Sequence, residues 1–237
     1  MERVLSLKIL TVTGLLIVLL ALGFTTPARA ANPEDIDHLL KNNWCVSFLW
    51  KQCDLSGVDL RGANLSKANL AGANLTGANL EGANLETANL SGADLSQANL
   101  AKANLLETDL SQANFTEANL SSVRLWDANL TLANLTHANL QAANLLGARL
   151  WGSNLSGANL TDASLHGANL QYANLAESNL SGADLHSFFF RGYKQVTNLS
   201  NANLEGANLS EANLSGAILK GAIMPDGSIN EGTFDFQ

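Results

Sequence analysis

The chain has 237 residues, enough for one domain or two small ones and for a substantial buried core. Charged residues make up 14%, against about 25% in an average globular domain, and Asn, Leu and Ala dominate from residue 55 onward, a bias that geometry has to explain. The formal charge of −8 leaves no basic surface to grip phosphate backbones, so nucleic-acid binding is disfavoured.

Residues 1–30 read as a signal peptide: Arg3 and Lys8, then an uncharged stretch from Ile9 to Phe24, then Pro27-Ala28-Arg29-Ala30 with cleavage expected after Ala30. The competing reading is an uncleaved anchor, for which this stretch is short against the roughly 20 residues of a span. With cleavage no stable membrane span remains. Residues 1–30 hold Arg3, Lys8 and Arg29 against Glu2, so without them the charge of −8 becomes −10. An exported product is expected in a periplasm or thylakoid lumen.

Residues 31–53 form the expected N-terminal cap. Asn32-Pro33-Glu34-Asp35 combines a capping residue, a first-turn Pro and acids at the positive end of a short helix, with Ile36, Leu39 and Leu40 on its apolar face. Trp44, Phe48, Leu49 and Trp50 suit a lid on an open solenoid end. Cys45 and Cys53 are the only cysteines, and an oxidising compartment would let them pair. A metal site built from them and His38 is the weaker alternative, because the spacing is irregular.

Residues 54–185 repeat every five residues. From Leu55 to Leu185 every fifth residue is Leu except Phe115, two positions earlier stands a small residue, and between them Asn or Asp, giving Ala-Asn-Leu-x-x. Period five fits neither a helix face nor a sustained strand, so each unit must turn a corner. Four units then close a square coil of 20 residues, and stacked coils lie about 4.8 Å apart with backbone groups paired as in adjacent strands. Leu and Ala point inward, Gly at the last position suits a turn with positive φ, and Asn is expected to bond neighbouring backbone groups along the stack.

After Leu185 the next Leu of the series is Leu199, a step of 14 where the repeat requires 15, read here as a register slip of one. Residues 186–198 are therefore expected to leave the stack as a loop, either an insertion whose Phe side chains fold back or a binding loop. Coils resume over 199–222, and the tail 223–237 closes the far end.

These motifs resemble the pentapeptide-repeat proteins, whose Ala-(Asp/Asn)-Leu-x-x units build a right-handed quadrilateral β-helix, an all-β fold with the central Leu or Phe and the small residue inward. The resemblance covers 55–185 and resumes at Leu199. The segment before Asp54-Leu55-Ser56-Gly57, with its short helix, is similar to the N-terminal caps of exported cyanobacterial members.

No catalytic motif, cofactor-binding pattern or metal site is assigned, and no enzyme is expected. His166 and His186 stand one coil apart and could share a metal. Stacking the chain every 20 residues places Leu106, Trp126 and Leu146 in one outward column, with Trp151, Leu132 and Tyr172 on the next face and Arg124 and Arg149 in place of Asn beside the two Trp. An exposed apolar cluster with Trp, Tyr and Arg is the mark of a contact surface. The expected function is a non-catalytic interaction or structural scaffold whose partner is an unidentified protein or a second copy. The alternative, implied by the resemblance, is an acidic mimic of duplex DNA that inhibits or protects a topoisomerase such as gyrase.

Overall fold

The structure, a computed structural model, describes Leu39 and residues 53–190 and 193–232. The signal peptide and most of the cap, Cys45 included, lie outside the described residues; Leu39 has helical backbone and is buried with the core.

The chain winds as a solenoid whose coils pair through single parallel bridges at a spacing of 20 residues, once per pentad, as in Asn64 with Asn84, Asn69 with Asn89 and Asn74 with Asp94. Four bridges per coil make a four-sided β-helix. No side is long enough to form an extended strand, because each pentad spends two residues on a corner. Leu and Ala fill the interior from end to end, and Phe115 sits fully buried in a Leu position.

One pentad shows why the motif has this composition. In Ala83-Asn84-Leu85-Glu86-Thr87, the Ala83 N–H closes the corner on the Leu80 carbonyl (2.9 Å), and the Asn84 N–H reaches back one coil to the Ala63 carbonyl (2.8 Å). Leu85 and Thr87 donate forward to the carbonyls of Asn104 (2.7 Å) and Leu106 (2.9 Å). The remaining donor, the Glu86 N–H, goes to the Asn84 Oδ1 at 3.2 Å. All five backbone donors are thus satisfied, and the fifth needs a side-chain acceptor where Asn or Asp stands.

The expected role of Asn is corrected in one respect. Its bond to the backbone is local, to the residue two ahead, whereas along the stack Asn meets Asn: the Nδ2 groups of Asn119, Asn139 and Asn159 donate to Asn99 (3.0 Å), Asn119 (3.3 Å) and Asn139 (3.0 Å).

The second corner residue has positive φ, filled by Gly or by larger residues such as Lys102 (φ 60°) and Leu132 (φ 59°). At Gly152 (φ 62°) backbone and space act together, because the Leu132 side chain lies across the site a Cβ would enter.

The register slip is also corrected. Bridges change from a spacing of 20, Ser164 with Asp184, to 29, Asn169 with Asn198, and return to 20 at Asn198 with Ile218. Nine residues are inserted into one coil and no pentad is shortened. The insert is not simply a loop: β1 (Phe188–Phe190) and β2 (Tyr193–Gln195) pair antiparallel, Phe188 opposite Gln195 and Phe190 opposite Tyr193. Which way the Phe side chains turn lies outside the described residues. Thr197 mends the interrupted coil: its buried hydroxyl donates to the Leu165 carbonyl (2.9 Å) and accepts the Gly167 N–H (3.0 Å).

At the far end the chain turns back after Met224, and Ile223 pairs antiparallel with Ile229. That reversal lays residues 228–230 against the last coil.

Candidate functional site

The sequence-derived patch exists as two clusters on adjacent faces. On the first, Leu106, Trp126 and Leu146 sit one coil apart: the Glu107 N–H bonds the Trp126 carbonyl and the Asp127 N–H bonds the Leu146 carbonyl, each at 2.9 Å. Trp126 is 39% exposed, while Leu106 and Leu146 are half-buried at its flanks. On the second face, the rings of Trp151 and Tyr172 meet edge to face with centroids 5.8 Å apart, and Leu132 (49% exposed) lies over Gly152 beside them. Both Trp and Tyr172 keep a large part of their surface in water, at 42% for Trp151 and 56% for Tyr172. A solenoid whose outward positions are mostly short polar groups has no folding reason to leave them there.

Arg124 and Arg149 are exposed and stand in the Asn position of their pentads, with bridges to Asn104 and Asn144 and to Asn129 and Asn169. A guanidinium has five donors and no acceptor. At these two positions the motif therefore gives up both the local side-chain acceptor and the link along the stack. Each Arg stands two residues before a Trp, so the loss of ladder and the gain of aromatic surface coincide.

A third group on the first face was incompletely read from the sequence. His166 and His186 continue the column of Leu106, Trp126 and Leu146, their rings meeting edge to face at 4.3 Å, and Asp184 lies between them. His186 Nδ1 is 2.6 Å from Asp184 Oδ1, and His166 Nε2 is 3.5 Å from Asp184 Oδ2. Against the upward push of partial burial, the side-chain and backbone hydrogen bonds from His186 and the charge of the two imidazoles hold the Asp184 carboxyl below its ordinary value. The two His were visible as a pair; Asp184 was hidden because Asp is an allowed residue in the Asn position.

Among the described residues no helix is long and apolar enough to cross a membrane. An open hollow at the far end is lined by Ser200, Asn201, Lys220 and the tail residues Ile229, Asn230 and Glu231.

The family model for pentapeptide repeats matches residues 53–92, 93–131, 113–152, 133–171, 158–192 and 197–226. The crystal structure of HetL, a pentapeptide repeat protein involved in heterocyst differentiation regulation in the cyanobacterium Nostoc sp. strain PCC 7120, is 31% identical, with 82% of this chain and 97% of that chain covered and a TM-score of 0.56. The plasmid-mediated fluoroquinolone resistance protein QnrB1 is 19% identical, covering 70% of this chain and 89% of its own, TM-score 0.42. A pentapeptide repeat protein of the Arabidopsis thaliana thylakoid lumen is 36% identical over 44% of this chain and 68% of that chain, TM-score 0.25. No protein with a curated description matches. Repeat, coil geometry and family match together place the chain in the pentapeptide repeat family.

Proposed function

We propose that the protein is a non-catalytic, exported scaffold that docks another protein through the surface formed by Leu106, Trp126, Leu146, Leu132, Trp151 and Tyr172, with Arg124 and Arg149 at its rim. The observation that carries this reading is the coincidence at residues 124–126 and 149–151, where ladder-breaking Arg and an exposed Trp replace the ordinary pentad. Trp, Tyr and Arg are the residues that most often anchor interfaces. The signal-peptide pattern of residues 1–30 supports export to a periplasm or thylakoid lumen. On the same reading residues 31–53 cap a right-handed solenoid and a Cys45–Cys53 bond ties the cap to the first coil; the burial of Leu39 and Cys53 and the absence of a free cysteine among the described residues support this.

The test is capture of partners from the exported compartment, together with sedimentation of the purified protein, for wild type and for Trp126→Ala with Trp151→Ala. Loss of a captured protein or of self-association in the double variant is expected. If every interaction and the oligomeric state are unchanged, the patch is not the docking surface.

The acidic charge favours one second reading, a mimic of duplex DNA acting on a topoisomerase such as gyrase. A supercoiling assay decides: no effect at large molar excess eliminates it.

A further inference from the structure

The face that carries Trp126 ends in a constellation that neither the repeat nor the docking surface requires. We propose that His166, Asp184 and His186 form a binding site for a divalent transition metal of the zinc class, placed where the chain leaves the solenoid for the β1–β2 hairpin.

Three features argue for it. The first is the donor set. One ligand atom from each of the three residues lies within 4.8 Å of the others. Two imidazoles and one carboxylate suit Zn²⁺ and its first-row neighbours, whereas Ca²⁺ and Mg²⁺ demand oxygen shells.

The second is spacing. Ligands about 2.0–2.2 Å from a tetrahedral zinc stand roughly 3.3–3.5 Å from one another. His166 Nε2 and Asp184 Oδ2 are already 3.5 Å apart. The 2.6 Å contact between His186 Nδ1 and Asp184 Oδ1 is a hydrogen bond, whose proton the metal would replace as the two atoms separate by under an ångström. Side chains 35% and 40% exposed have room for that movement.

The third is orientation. His166 Nδ1 lies 3.3 Å from the backbone carbonyl of His186. A carbonyl only accepts, so Nδ1 is the donor in this bond, and Nε2 is left as the ring nitrogen on the side of the Asp184 carboxylate. A ligating imidazole whose other nitrogen donates to a backbone carbonyl is the usual outer arrangement of protein metal sites.

Three protein ligands leave a fourth position open to solvent, since His166 and its partners are 20–40% exposed. Bound metal would clamp the coil of His166 to the coil of Asp184 and His186, with His186 two residues before β1 begins. The site stands or falls independently of the docking surface.

Zn²⁺ titration of the full chain by calorimetry tests the proposal, for wild type, Asp184→Asn, and His166→Gln with His186→Gln. The column of His166 accepts Ser66, Glu86 and Leu106 in other coils, so the His variants should keep the wild-type far-UV spectrum, which is recorded as a control. We expect a saturable equivalent of Zn²⁺ that Mg²⁺ does not displace, weakened at least tenfold by Asp184→Asn and lost in the double His variant. Absence of saturable binding in wild type, or unchanged binding in the folded double variant, overturns it. In the second case the zinc is held elsewhere on the chain.

Discussion

Two faces of one solenoid share the same interior and differ outside. On one, Asn79, Asn99, Asn119, Asn139 and Asn159 form an unbroken ladder. The neighbouring outward column there reads Glu81, Ala101, Ser121, Gln141, Thr161, small or polar at every coil. On the other, the ladder runs through Asn64, Asn84 and Asn104, then meets Arg124, and the outward column reads Leu106, Trp126, Leu146, His166, His186. Beneath both, Leu100, Leu120 and Leu140 are as buried as Leu105, Leu125 and Leu145. The core and backbone ladder thus hold the coil whichever face is decorated, and side-chain ladder bonds can be surrendered locally for surface chemistry.

That comparison breaks most visibly in the middle of the regular face. Asn119 donates to Asn99 (3.0 Å), accepts from Asn139 (3.3 Å) and takes the Ser121 N–H (3.2 Å). Asn119→Ala removes all three and should cost about 1–3 kcal/mol, read as a lower urea midpoint. A midpoint within error of wild type would mean that water replaces the ladder at no cost. The reverse change on the decorated face should act in the opposite direction. Arg124→Asn restores an acceptor for the local N–H and a link between Asn104 and Asn144, and should raise stability by about 0.5–1.5 kcal/mol. If it leaves the midpoint unchanged or lowers it, Arg124 is part of the fold rather than a surface substitution.

The shared interior was legible in the sequence because burial imposes one demand at every fifth residue, and Leu with Ala meets it visibly. The Leu106–Trp126–Leu146 column followed once the coil length was known. What was hidden had two physical causes. A repeat is counted modulo its period, so a deletion of one and an insertion of nine give the same offset in a five-residue motif; only the bridge between Asn169 and Asn198 separates them. Thr197 falls within the expected loop, residues 186–198, although its hydroxyl supplies the bonds that carry Leu165 and Gly167 past the insert. Asp184 was masked because Asp and Asn both serve as the local acceptor, while only Asp adds a charge between two imidazoles.

The smallest expected effect sharpens the comparison at the start of the regular face. Asp59 heads the column of Asn79, and its carboxylate takes the Arg61 Nε (2.9 Å), Nη2 (2.7 Å) and backbone N–H (3.2 Å). The side-chain bond from Arg61 is the chief reason the carboxyl is held below its ordinary value, with slight burial opposing it and the backbone bond and guanidinium charge assisting. A carboxyl whose value is lower in the folded than in the unfolded chain stabilises the fold above its unfolded value of about 3.9, and that contribution is lost as pH falls through the folded value. Arg61→Ala should therefore lower the urea midpoint slightly and by a constant amount from neutral pH down to about 5, with the two curves converging below about 4. Both side chains are more than half exposed, so added salt should shrink the neutral-pH difference as well. A difference that persists unchanged at acid pH and high salt would show that Arg61 acts by packing on the first coil, and that this end of the regular face is held by contact rather than by charge.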